Sequence, residues 1–244
     1  MSTIDENEVE KFAKIAEEWW NPAGKFKPLH QFNPIRLSFF KEFIAKFYQL
    51  NTTDYKPFTG LKFIDIGCGG GLVAEPLFRF GAEVDAIDAA QRNIEVAKIH
   101  AQKNSLNINY FCSSAEELAK NNAQNYDVVF ALEIIEHVAN VEEFVGALAS
   151  LTKKDGLVFV ATLNRSVKSL LMAKFGVEYI LRWLPIGTHD WRKFLKPSEV
   201  NSFAEKNNLQ LLKMQGFKYD LIGNKWSLAD DLSINYCAVF KKIS

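Results

Sequence analysis

The chain has 244 residues, enough for one large domain with a sizeable core. Lysine plus arginine and aspartate plus glutamate balance at 29 each, which excludes the global basic field of a nucleic-acid binder. Three widely spaced cysteines, Cys68, Cys112 and Cys237, lack ligand-like pairing, the acidic start Asp5-Glu6-Asn7-Glu8 carries no targeting pattern, and no segment has the length and apolarity of a membrane span; a reduced, cytoplasmic protein is expected.

In chain order, Val9, Phe12, Ile15, Ala16 and Trp19 recur at helical spacing and predict an amphipathic helix from Glu8 to Trp20. Asn21-Pro22-Ala23-Gly24 ends it, Phe26 to His30 reads as extended, and a second helix opens at Asn33-Pro34. Residues 1–58 are read as an N-terminal helical lid, with packing on the sheet edge as the alternative, and residues 59–244 as the main domain. From Leu61, strands near 61–66, 83–88, 108–112, 126–132 and 157–163 alternate with helices near 71–80, 91–104, 115–122 and 140–151. With two late strands, Leu209 to Met214 and Ile234 to Phe240, this predicts an α/β fold with a doubly wound, seven-stranded, mostly parallel sheet whose last two strands pair antiparallel at one edge. After Leu163 the rhythm breaks into a helical insertion, 165–192. Its apolar stretch Ser169 to Leu184 carries Lys174, Glu178 and Arg182 on one helical stripe. Such a helix either buries a wide face in the core or lies on an anionic membrane surface, and either way it walls the substrate site.

The segment Phe63-Ile64-Asp65-Ile66-Gly67-Cys68-Gly69-Gly70-Gly71 reads as a buried strand entering a glycine turn and then a helix, the architecture of a nucleotide-cofactor cradle. A dinucleotide would place its pyrophosphate at that turn, where the Asp65 carboxylate repels it. A cofactor bearing an ammonium and a sulfonium tolerates the same carboxylate, so the pattern favours S-adenosylmethionine over a nicotinamide dinucleotide. Asp88, ending the next strand, is placed to accept from both ribose hydroxyls. Arg36, among aromatic and aliphatic residues, is a candidate partner for the cofactor's carboxylate, and Ser114-Ala115-Glu116, after strand three, stands where adenine contacts are expected.

Ligands of a doubly wound sheet bind beyond the carboxyl ends of its strands. Strand four ends in Leu132 and runs into Glu133-Ile134-Ile135-Glu136-His137, which clusters two carboxylates and an imidazole there. His137 can serve as a general base toward a hydroxyl. Alternatively, Glu133, Glu136 and His137 can ligate a divalent cation such as Mg2+ that acidifies a bound phenol. Both uses stay open, as does a structural role for the cluster.

The chain resembles the ubiquinone biosynthesis O-methyltransferases within the class I S-adenosylmethionine-dependent methyltransferases. The resemblance spans almost the whole chain. It rests on Trp19-Trp20-Asn21-Pro22, Phe26-Lys27-Pro28-Leu29-His30, Asn33-Pro34-Ile35-Arg36-Leu37, the glycine motif, Glu133 to His137, Thr162-Leu163-Asn164-Arg165 and Gly187-Thr188-His189-Asp190. It implies that Arg36, Gly67, Asp88 and Leu132 contact S-adenosylmethionine and that Glu133, Glu136 and His137 form an Mg2+ site; because a phenol must be ionised before it attacks, His137 and Glu133 are the candidates for catalysis. It also implies both O-methylations of ubiquinone assembly, on a 2-polyprenyl-6-hydroxyphenol and on 3-demethylubiquinol. Peripheral attachment to the cytoplasmic membrane through 169–184, and contacts with other ubiquinone-biosynthesis enzymes, are expected with it. The chain departs from the family in carrying Leu132 where Met is frequent and Ala139 where Pro is frequent.

Overall fold

The computed structural model describes residues 3–121, 123–171, 191–220 and 222–244. Residues 172–190, which hold most of the expected apolar helix and all of Gly187-Thr188-His189-Asp190, lie outside the described residues.

The N-terminal helix is shorter than its apolar periodicity implies. Helix α1 runs Glu6–Ala13, with the Asp5 carboxylate accepting from the Asn7 amide at 3.1 Å, acidic residues in its first turn and Lys11 in its last. A single 3-10 turn at Ala16–Glu18 follows instead of a continuation to Trp20. Helix α2, Lys27–Phe47, starts earlier than expected and carries Pro34 inside it. Pro28 sits in the first turn, where a missing amide costs nothing, and Pro34 removes one further donor while Phe32, Asn33, Arg36, Phe39, Phe40 and Ile44 are buried around it.

Then follow β1 Lys62–Ile66, α3 Ala74–Arg79, β2 Glu83–Asp88, α4 Gln91–Lys103, β3 Asn109–Cys112, α5 Ala115–Asn121, β4 Tyr126–Leu132, α6 Val141–Leu151 and β5 Thr152–Leu163. The chain closes with α7 Val167–Leu171, α8 Pro197–Lys206, β6 Leu209–Asp220, β7 Lys225–Ala229 and β8 Asn235–Lys242. The sheet order is β3-β2-β1-β4-β5-β8-β6-β7. β1 to β5 pair in parallel, while β8 lies antiparallel to both β5 and β6. The described sheet has eight strands, one more than expected: β7 folds back antiparallel on β6 and forms the outer edge. Strand order reverses between β1 and β4, which opens a crevice above their carboxyl ends.

Alternation along each strand builds two cores. Phe63, Phe130 and Phe159 face α2, α3 and α4, whereas Ile64, Val129 and Val158 face α5, α6 and α8. On the first face Phe40 of α2 packs against Phe130 and Phe159 with ring centroids 5.3 and 5.2 Å away. Each such pair contributes about 0.5–1.5 kcal/mol beyond its area burial, so α2 is part of the core. The remainder of the expected lid, Thr3 to Phe26, supplies residues that line the cavity. Cys68 and Cys237 are buried, as small core residues are, whereas Cys112 is exposed.

Candidate active site

A cavity of about 700 Å³ lies over the β1/β4 crevice. It is bounded by the glycine turn, the ends of β2 and β4, the N-terminal segment and the β6–β7 hairpin. Arg36, Gly67, Asp88, Leu132, Glu133 and His137 all line it; Glu136 does not.

Gly67 and Gly69 hold φ of +73° and +54°, the left-handed region that side chains enter at a cost. A Cβ on Gly67 would come within 2.9 Å of Ile134, and one on Gly69 would run into the Trp19 ring. Trp19 is tied there by its indole N–H to Asn93 Oδ1 at 2.9 Å and by stacking on Phe26 at 3.6 Å, while the Trp20 indole donates to the Gly70 carbonyl at 2.9 Å. Asp88 accepts from the amides of Gly69 (2.9 Å) and Ala90 (2.8 Å) and from Asn93 Nδ2 (3.1 Å). Burial raises its pKa above the ordinary range, against these hydrogen bonds. Three of about four lone-pair directions of an ionised carboxylate are thus used, which leaves acceptor capacity at the cavity wall.

Two opposite charges with open valences sit side by side beneath that wall. Arg36 is 3% exposed; its Nη2 donates to Asn33 Oδ1, and its Nε and Nη1 lack hydrogen-bond partners among the described residues. Its nearest carboxylate is Glu133, at 3.6 Å from Nη1. Asp65 Oδ2 is buried and likewise without a hydrogen-bond partner. Burial pushes the Asp65 carboxyl up to about 7, partly opposed by the Arg36 charge. An unsatisfied buried donor or acceptor costs about 1–3 kcal/mol. A zwitterion that brings a carboxylate to Arg36 and an ammonium to Asp65 relieves both.

At the reacting end, Glu133 has φ of +55°, a strained conformation for a residue with a side chain, and burial with Glu136 nearby pushes its carboxyl up to about 7 against the pull of Arg36. Glu136 turns away and accepts from the Thr162 hydroxyl at 2.8 Å. His137 meets Glu8 of α1, with Nδ1 and Oε2 3.0 Å apart. Burial lowers the His137 pKa, but the Glu8 hydrogen bond and the charges of Glu136 and Glu8 outweigh it, so the net shift is upward. Mg2+ needs converging donors. Here Glu133, Glu136 and His137 face three different partners, and no group of three His, Cys, Asp or Glu side chains among the described residues is arranged to hold a metal ion. This arrangement does not fit Mg2+ as the resemblance implies it.

A family model described as a methyltransferase domain matches residues 37–217. A Pelagibacter ubique protein named ubiquinone biosynthesis O-methyltransferase is 50% identical over 242 residues, covering 99% of this chain and 100% of its own. The chain belongs to the ubiquinone biosynthesis O-methyltransferases. A Bartonella tribocorum protein of the same name is 48% identical over 241 residues, covering 99% of this chain and 97% of its own. Among solved structures, a SAM-dependent methyltransferase from Thermotoga maritima matches with a TM-score of 0.62 at 15% identity, over 97% of this chain and 98% of that one. Magnesium protoporphyrin IX methyltransferase from Synechocystis matches with a TM-score of 0.56 at 16% identity, over 76% of this chain and 75% of that one. At these identities the likeness is one of fold, and the fold is that of S-adenosylmethionine-dependent methyltransferases.

S-adenosylmethionine fits the residues present. Its amino-acid moiety is the zwitterion that Arg36 and Asp65 lack, and its ribose suits the remaining capacity of Asp88. Two features of the cavity lining escape the sequence reading. One is Glu8. The other is the aromatic wall of Phe217 and Trp226, which packs on Phe32 at ring distances of 5.0 and 4.4 Å and lines the cavity. The hairpin that carries it has a legible signal, Gly223-Asn224 followed by the alternating Lys225-Trp226-Ser227-Leu228.

Proposed function

We propose that this O-methyltransferase methylates the phenolic hydroxyl of a 2-polyprenyl-6-hydroxyphenol and of 3-demethylubiquinol, with His137 as the base. The observation that carries this reading is that one cavity is lined by the Arg36–Asp65 pair and by His137 alike, with an aromatic wall made by Phe32 of α2 and the β6–β7 hairpin. When bound, S-adenosylmethionine supplies the electrophilic methyl group, its sulfur keeping the electron pair of the bond that breaks. Arg36, Asp65 and Asp88 hold the donor, and Gly67 and Leu132 border it. A phenol is a weak nucleophile until ionised, so His137 takes its proton while Glu133, beside Arg36, shapes the charge around the reacting oxygen. Trp19, Phe26, Phe32 and Leu72 keep the site apolar, which avoids overstabilising separated ions. No step is routed through Mg2+, because Glu136 and His137 are turned to Thr162 and Glu8.

The acceptor's polyprenyl tail is insoluble in water. The apolar sequence of 169–184, with its stripe of Lys174, Glu178 and Arg182, supports docking on the anionic face of the cytoplasmic membrane, where other enzymes of ubiquinone assembly meet the same substrate. Incubation with a short-chain prenyl catechol and S-adenosylmethionine, read by mass spectrometry with and without a chelator, tests the activity. Gain of one methyl group in both arms is expected. No methylated product, with Mg2+ present or absent, overturns the reading, and loss of product only with chelator reinstates the metal.

A further inference from the structure

Two polar atoms of the cavity lining have nothing to bond among the described residues. Asn235, the first residue of β8, is 6% exposed and lines the cavity, and its Oδ1 is buried without a hydrogen-bond partner. Trp226 lines the same cavity, and its Nε1 is likewise buried and unpartnered. Register brings Asn235 to the aromatic wall, since the next residue, Tyr236, pairs with Gly216, which precedes Phe217. The fold engages Asn235 through its backbone, opposite Leu163 of β5, and leaves the side-chain oxygen for a ligand that can donate to it. An orphaned buried acceptor costs about 1–3 kcal/mol, which such a donor offsets. The cofactor is held elsewhere. Its anchors in the glycine turn, Asp65 and Asp88 stand on β1 and β2, whereas β8 lies three strands beyond β1, about 14 Å at roughly 4.8 Å per strand. The group that suits Arg36 is a carboxylate, which has no proton to give Asn235 Oδ1.

We propose that Asn235 is a substrate-binding residue that sets specificity: its Oδ1 accepts a hydrogen bond from the phenolic hydroxyl standing beside the one that is methylated, and so fixes which oxygen faces the methyl group. The inference rests on the substrates proposed above. A 2-polyprenyl-6-hydroxyphenol and 3-demethylubiquinol differ across the ring, yet each carries a second hydroxyl next to the reacting one. That hydroxyl is a donor, which a prenyl tail or a methoxy group is not. One oxygen that accepts from it serves both reactions. A phenol that lacks it leaves Asn235 Oδ1 buried and unpartnered, the situation in which a polar site discriminates most strongly.

Steady-state kinetics of the full chain, at one fixed Mg2+ concentration, test it with two short-chain substrates. One is 2-prenyl-6-hydroxyphenol; the other is 3-prenylphenol, which keeps the hydroxyl that is methylated and lacks its neighbour. The wild-type enzyme is expected to favour the catechol by about 10- to 100-fold in kcat/KM. Asn235→Leu keeps the side chain's approximate size and removes its hydrogen bond. It is expected to lose about 10- to 100-fold on the catechol, to change by less than about threefold on 3-prenylphenol, and to leave the S-adenosylmethionine Kd within about twofold. Asn235→Ala, which adds no bulk to the wall, is expected to give the same pattern. Unchanged kcat/KM on the catechol in both variants overturns the proposal. Equal losses on the two substrates, with or without a changed Kd or Tm, mark Asn235 as structural or cofactor-bound and also overturn it. Equal kcat/KM for the two substrates in the wild-type enzyme overturns it without any variant and leaves the proposed activity standing. Methylation of neither substrate by the wild-type enzyme overturns the proposed function and this inference with it.

Discussion

Arg36 concentrates the electrostatics of the cofactor end. Burial lowers its pKa, and the charges of Glu133 and Asp65 oppose that shift, so one guanidinium balances two carboxyls in a dry site. Arg36→Met leaves both carboxyls facing a bound carboxylate unaided. S-adenosylmethionine affinity in calorimetric titration is expected to fall on the order of 100-fold, about 2.7 kcal/mol, and Arg36→Lys should restore only part of it because an ammonium cannot bind bidentately. The Glu8–His137 pair sets a pH dependence of opposite signs on its two sides. His137 is raised from 6.5, burial notwithstanding, so its contribution is fully present below 6.5 and is lost as pH rises through the folded value. Glu8 is depressed from 4.5, chiefly by the His137 hydrogen bond, so its contribution is present above 4.5 and lost as pH falls toward the lower folded value. Anchoring of α1 is expected to be tightest between about pH 4.5 and 6.5, with protease cleavage between Thr3 and Ala13 slowest in that window. The rising limb of kcat should lie above 6.5, where the imidazole is neutral. Arg36 and His137 can be nominated from the sequence because each sits in a recognisable motif, and both line the cavity. Glu8 cannot, because its partner lies 129 residues away and its own helix looks like an ordinary solvated one.

The strands and helices from β1 to α6 fall close to where alternation and helical periodicity put them, because buried strands between amphipathic helices leave a strong local signal. The elements that differ are those whose form is set by packing. α2 continues through Pro34 because its Phe and Ile residues are locked against the sheet, and β7 pairs along an outer edge where alternation is short. The glycine turn shows how one element depends on another. Gly60, at φ +87°, has open space where a Cβ would go, whereas at Gly69 the same atom meets Trp19. Gly60→Ala should therefore cost only the left-handed backbone term, about 1–2 kcal/mol. Gly69→Ala should cost more, shift Trp19 fluorescence and weaken S-adenosylmethionine binding. Equal Tm losses in the two variants, with unchanged fluorescence, would show that Trp19 does not rest on the turn.

At the scale of the whole molecule the question is how a protein with balanced charge reaches a water-insoluble acceptor. No helix among the described residues is long and apolar enough to cross a membrane, and a net charge of zero gives no general attraction to an anionic surface. Any attraction must be local. The chain leaves the described fold after Leu171 and returns at Trp191, and the two ends meet: the Trp191 indole donates to the Ser166 carbonyl at 2.9 Å, while Lys168 and Ser169 line the cavity. The described residues on either side of 172–190 thus stand beside the cavity, which is where a segment that guides a prenyl tail has to be rooted. Replacing 172–184 by a short Gly/Ser linker should abolish sedimentation with anionic vesicles. It should also lower turnover of a vesicle-borne long-chain substrate far more than that of a soluble short-chain one, since only the former needs the surface. Vesicle binding equal to that of the intact chain would place membrane contact elsewhere and return the segment to a purely internal wall.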